Sequence, residues 1–164
     1  MRLYHYAPKN NTCLKEGILS ISKNFNNLKS YKKRAGSDNP KDILCFLEKT
    51  FTGRTRAVSC LTEPIKWQHN DPVLKEIVNK SMLFSFELND LIKDNKIESL
   101  WCKEGSDADG FNEKFYQINE NQIDTSPLTW QKCDSSKGLL FGVIRHYLIV
   151  LKTGVIEPKY LTKE

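Results

Sequence analysis

No apolar stretch of this sequence approaches the ~20 residues that a membrane span needs. The longest, Leu139 to Leu151, is interrupted by Arg145 and His146. No apolar segment follows Arg2, so a secretory leader is not expected at this end. The five cysteines, Cys13, Cys45, Cys60, Cys102 and Cys133, form no CxxC pair. An odd, scattered set fits free thiols in a reducing compartment, and a cytoplasmic location is the expectation. The three histidines, His5, His69 and His146, include no i,i+4 pair. Without clustered Cys and His a zinc site is not expected, and no other metal is expected either. Neither an internal repeat nor a low-complexity segment is present.

What is there is the composition of one soluble domain spanning residues 1–164, with 39% hydrophobic and 27% charged residues. The net charge of +5, from 25 basic and 20 acidic residues, permits attraction to phosphates without demanding nucleic acid. The densest basic run, Lys29-Ser30-Tyr31-Lys32-Lys33-Arg34, reads first as a solvated face.

Along the chain, Leu3 to Tyr6 reads as a short strand, in which spacing alone favours His5 as a half-buried residue bonded to a neighbouring carbonyl over a ligand-binding one, and Thr12 to Glu16 reads as a short helix ended by Gly17. Residues 24–34 lack strong periodicity. Ser37-Asp38-Asn39-Pro40 starts an amphipathic helix over 40–51, with Ile43, Leu44, Phe46, Leu47 and Phe51 at helical spacing. Arg56 to Leu61 reads as a buried strand, and Asn70-Asp71-Pro72 opens a helix carrying Val73, Leu74, Ile77 and Val78. Strands follow at 82–86, 97–102 and 113–118, with a helical turn from Leu88 to Asp94. Leu139 to Leu151 reads as one long strand, bulged near Gly142, and the tail beyond Gly154 as loose. Few strands are joined by helix-sized crossovers. The fold class expected is α+β, a split, mostly antiparallel sheet with flanking helices.

Three pieces carry chemistry. Leu3-Tyr4-His5-Tyr6 is followed by an apolar half-helix and Gly17-Ile18-Leu19; Ser59-Cys60-Leu61-Thr62-Glu63-Pro64 ends a strand; Asn112-Glu113 opens a strand through Tyr116 to Gln122-Ile123. In these pieces, roughly a quarter of the chain, the sequence resembles the ADP-ribosyltransferase superfamily, on its diphtheria-toxin and poly-ADP-ribose-polymerase side and among bacterial toxin relatives.

The resemblance implies a split antiparallel sheet holding NAD as co-substrate. On it, Glu113 is the catalytic carboxylate, bonded to the nicotinamide-side ribose, and His5 binds the adenosine-side ribose. Ser59 takes the position that packs on nicotinamide, and Tyr6 or Tyr31 supplies a stacking ring. Cleaving the nicotinamide–ribose bond builds positive charge on the sugar, which a fixed carboxylate stabilises. The implied activity is mono-ADP-ribosyl transfer to a macromolecular acceptor, a protein before a nucleic acid, as in a bacterial toxin or effector delivered into a target cell. Other readings stand beside it: a Cys/His hydrolase using Cys60 or Cys13 with His5 or His146; an RNA-modifying transferase using residues 29–34 with Trp67, Trp101 and Trp130; and a non-catalytic interaction or defence module on a degenerate transferase scaffold.

Overall fold

The computed structural model describes residues 1–9, 12–24, 29, 31–51, 54–65, 78–104, 114–127, 130–132, 141–143 and 145–164. Within them the chain forms β1 (Arg2–Pro8), α1 (Cys13–Glu16), β2 (Ile18–Leu19), α2 (Lys32–Ala35), α3 (Pro40–Phe51) and β3 (Ala57–Cys60). There follow β4 (Ser81–Glu87), α4 (Leu88–Lys93), β5 (Ile97–Glu104), β6 (Lys114–Ile118), β7 (Trp130–Lys132) and β8 (Phe141–Val143). The last strands are β9 (Arg145–Leu151), β10 (Val155–Ile156) and β11 (Thr162–Lys163), with 3₁₀ turns at Glu120–Gln122 and Pro158–Tyr160. The fold is α+β, and every described strand pair is antiparallel.

Two sheets organise the molecule. One runs β1-β4-β11 and the other β3-β9-β5-β6. They meet at one isolated bridge, where Tyr4 N donates to Leu61 O and Leu61 N to Tyr4 O, each at 2.8 Å. Apolar side chains from both sheets close a common core of Leu3, Phe84, Phe86, Leu100, Ile149 and Leu151 with their neighbours. Its burial is the main stabilising term, at roughly 1.5–3 kcal/mol for each fully buried large side chain.

Local signals explain several elements. The Asn39 side chain accepts a hydrogen bond from Lys41 N at 3.0 Å and caps α3, whose first helical residue is Pro40. Ile43 and Leu47, one turn apart, form a satellite cluster with Ile21, Tyr31, Ala35, Leu44 and Phe46 packed against them. Gly17 ends α1 at φ +83°, and an added Cβ would stand 2.1 Å from Ile156 O. The helix expected from Asn70 lies outside the described residues except at Val78.

Of the stretch expected as one strand from Leu139 to Leu151, residues 141–143 and 145–151 are strand, and residues 139, 140 and 144 lie outside the described residues. β8 pairs with β7, whereas β9 runs through the middle of the four-stranded sheet. One expectation is corrected: the tail is not loose. β10 pairs with β2, β11 with β4, and Glu164 N donates to Leu83 O at 3.0 Å, while the Ser85 hydroxyl bonds the Glu164 carboxylate. The edge of β4 away from β1 supplies the partners of β11 and Glu164, and β2 supplies that of β10.

Candidate functional site

The junction of the two sheets is the candidate site. Met1 O accepts from Leu88 N, and Lys9 N donates to Lys80 O, so the odd-numbered residues of β1 turn their main chain toward β4. The even-numbered ones therefore face β3, as the Tyr4–Leu61 bridge shows. In a continued ladder the next reciprocal pair would be Tyr6 with Ser59. No bridge forms there, and the strands part.

His5 spans the parting. Its Nδ1 lies 2.7 Å from the Ser59 carbonyl oxygen. A carbonyl only accepts, so Nδ1 carries the proton and Nε2 of the neutral ring keeps its lone pair. Leu3 and Ala7, two residues to either side, are fully buried on that face of β1, and His5 is half-buried between them. Burial pushes the imidazole below its ordinary pKa, partly opposed by the Ser59 bond. Neutral His5 is thus the form present at pH 7.

Tyr6 turns the other way, as strand alternation requires. Its hydroxyl accepts a hydrogen bond from Ile65 N at 3.0 Å and pins the loop after β3. Burial raises its pKa, with that bond opposing. The side chain thus ties down a loop while its main chain faces the opening. Ser59 is exposed, on the face opposite buried Val58 and Cys60. Among the residues expected at the site, the structure brings together His5, Tyr6 and the Ser59 main chain.

Tyr31 belongs elsewhere, packed on the Ile43–Leu47 cluster. Glu113 lies outside the described residues. The strand that begins one residue later, β6, is the edge strand, with β5 and β9 between it and β3. Three strand spacings separate β3 from β6, roughly 14 Å. The strand beside β3 is instead β9, where Leu148 lies opposite Ser59. Glu63 stands two residues beyond Leu61, in the segment that Tyr6 anchors. Nothing local in the sequence identifies β9 as that neighbour.

The thiols of the hydrolase reading are poorly placed for nucleophilic work. Cys60 is buried, its Sγ 3.6 Å from Tyr147 O, and burial drives its pKa far up. Cys13 is buried too, and its pKa is raised by burial. Among the described residues, no group of three or more His, Cys, Asp or Glu could hold a metal ion. No described helix is long and apolar enough to cross a membrane.

A shallow groove of about 530 Å³ lies where β6 ends, lined by residues such as Asn95, Glu98, Ser99, Gln117 and Asn121. It contains no residue of the junction and presents mainly amide and carboxylate groups, so its size does not make it the site. Compared with protein-family models, curated proteins and solved structures, the chain matches none.

Proposed function

We propose that this chain is an NAD-dependent mono-ADP-ribosyltransferase, with an ADP-ribosyltransferase-like fold and a macromolecular acceptor. The observation that carries the reading is His5 at the parting of two antiparallel sheets, its Nδ1–H spent on Ser59 O and its other nitrogen left as an acceptor. This donor and acceptor set fits a dinucleotide. The Nε2 lone pair can take a ribose hydroxyl proton, and the Tyr6 N–H and C=O, facing the opening, complement a carboxamide as a strand edge would.

Bound NAD supplies an activated ribose, whose carbon–nitrogen bond breaks with the electron pair leaving on nicotinamide. The acceptor's nucleophile bonds the same carbon and releases its proton. This chain's part is to hold the two ends of the dinucleotide and to place a carboxylate near the developing positive charge. Glu113 is assigned that role.

The test is release of nicotinamide from labelled NAD by wild type, His5→Ala, Glu113→Gln and Glu63→Gln. Loss of one essential electrostatic partner lowers the rate by on the order of 10²–10³. Equal rates in wild type and Glu113→Gln remove Glu113 from the mechanism, and a large loss in Glu63→Gln transfers the role to that carboxylate. A chain that neither releases nicotinamide nor gains thermal stability from millimolar NAD supports the second reading, a binding module on a transferase-like scaffold. The position of β6 at the sheet edge, away from β3, is the observation favouring that alternative.

A further inference from the structure

The face of the four-stranded sheet that carries Ser59 holds a second group of side chains, which the proposed transfer chemistry does not use. Cross-strand register sets His146 beside Lys103 and Lys103 beside Phe115. Trp101, two residues from Lys103, shares the face, with Leu148 between it and Ser59. Arg54, in the turn before β3, reaches across this surface. Its Cζ stands 4.0 Å from the Phe115 ring centre and 5.2 Å from that of Trp101. Lys103 Nζ stands 5.8 Å from the same Phe115 centre, on a residue only 7% exposed.

Arg54 is the unsatisfied member. It is half-buried, its Nε is buried without a hydrogen-bond partner, and no described carboxylate pairs with it. Burial lowers its pKa, which reports the cost of desolvating the charge. Ring contacts on the guanidinium do not satisfy a buried N–H in its own plane, and such orphans are rare in native proteins. An oxyanion would satisfy it, because the guanidinium fork matches paired oxygens and the aromatic walls keep water from competing. A second fixed cation beside the same ring favours a dianion over a singly charged carboxylate.

We infer that Arg54 and Lys103 bind a phosphoryl group on this face of the sheet, with Lys103 two strands from Ser59. The group comes either from a small nucleotide or from a single-stranded nucleic acid, whose phosphates have the same chemistry.

The experiment titrates the whole chain with inorganic pyrophosphate while following the Arg54 Nε–H resonance, with acetate as the control anion. The expected result is a saturable shift of that resonance with pyrophosphate and none with acetate. By isothermal titration calorimetry, which reads wild type and variants alike, Arg54→Gln and Lys103→Gln each weaken binding at least ~10-fold, and Arg54→Lys, which keeps the charge and loses the fork, weakens it several-fold. Where Arg54→Gln fails to fold, Arg54→Lys carries the comparison. Competition by NAD or by a single-stranded oligonucleotide then separates the two sources, the latter with an affinity that falls steeply with salt. Absence of a saturable shift up to about 10 mM pyrophosphate, or unchanged affinity in the Arg54 variants, overturns the inference. Pyrophosphate binding needs no NAD turnover, so failure of this site and failure of the transferase reading give different results.

Discussion

Tyr4 and Leu61 exchange both of their main-chain hydrogen bonds at 2.8 Å, and two residues further along β1 the strands no longer pair. That contact joins two sheets whose strands come from both halves of the chain. It also sets the geometry of the opening in which His5 replaces a ladder bond with a side-chain bond to Ser59.

Replacing His5 separates the structural from the ligand role of its ring. His5→Ala removes the bond to Ser59 O and is expected to lower stability by about 0.5–1.5 kcal/mol in urea unfolding. His5→Asn keeps a donor near the Nδ1 position, so it should recover much of that loss without recovering NAD binding. Equal destabilisation by both variants would show that the Ser59 bond contributes nothing.

The same ring makes stability depend on pH. The folded protein holds His5 below its ordinary value of 6.5, mainly through burial, so between the two pKa values the unfolded chain binds more protons. Its contribution is complete above the unfolded value and is lost as pH falls through it toward the lower folded one. Unfolding midpoints of wild type and His5→Asn, compared from pH 7.5 to 5.5, should converge as the medium is acidified. A constant difference would mean that the ring does not titrate in this window.

Gly17 and Gly36 both have positive φ, but their surroundings differ. At Gly17 an alanine Cβ would meet main-chain Ile156 O at 2.1 Å, whereas at Gly36 it would meet nothing within 4 Å. Gly36→Ala should cost about 1–2 kcal/mol, the ordinary left-handed penalty. Gly17→Ala should cost more, because α1 or β10 must move as well. Thermal melts of the two variants check the order.

Thiol reactivity follows burial. Cys45 is exposed, and Cys13, Cys60 and Cys102 are buried. Mass spectrometry after brief iodoacetamide treatment should find Cys45 alkylated and the three buried thiols protected until the protein is unfolded. Rapid labelling of Cys60 in the native state would show that the β3–β9 pair opens readily.

Helix α3 was legible because its signals are local. Asn39 caps it, Pro40 opens it, and Ile43 and Leu47 recur one turn apart. Strands β1, β3, β4 and β5 were legible for the same kind of reason, a run of apolar or alternating residues bounded by turns. Tyr31 illustrates the opposite case: an aromatic in a basic run offers no sign of whether it faces a ligand or, as here, a helix. The different partners of β8 and β9 were hidden too, since both read as strand and no local signal names a partner. For the site, the strand setting of His5 pointed to a bond with a main-chain carbonyl, but not to which one. The Ser59 main chain, and not its hydroxyl, is what His5 reaches.

The sequence by itself determined where most helices and strands form, because capping side chains and apolar periodicity act over a few residues. It determined too that a histidine lies in the opening strand. Tertiary structure alone decided that this strand meets β3 at a single residue pair, that β9 and not β6 flanks β3, and that Arg54 lies over Trp101 and Phe115. Strand order depends on hydrogen bonds between segments dozens of residues apart, and no local pattern of side chains encodes which edges will be neighbours.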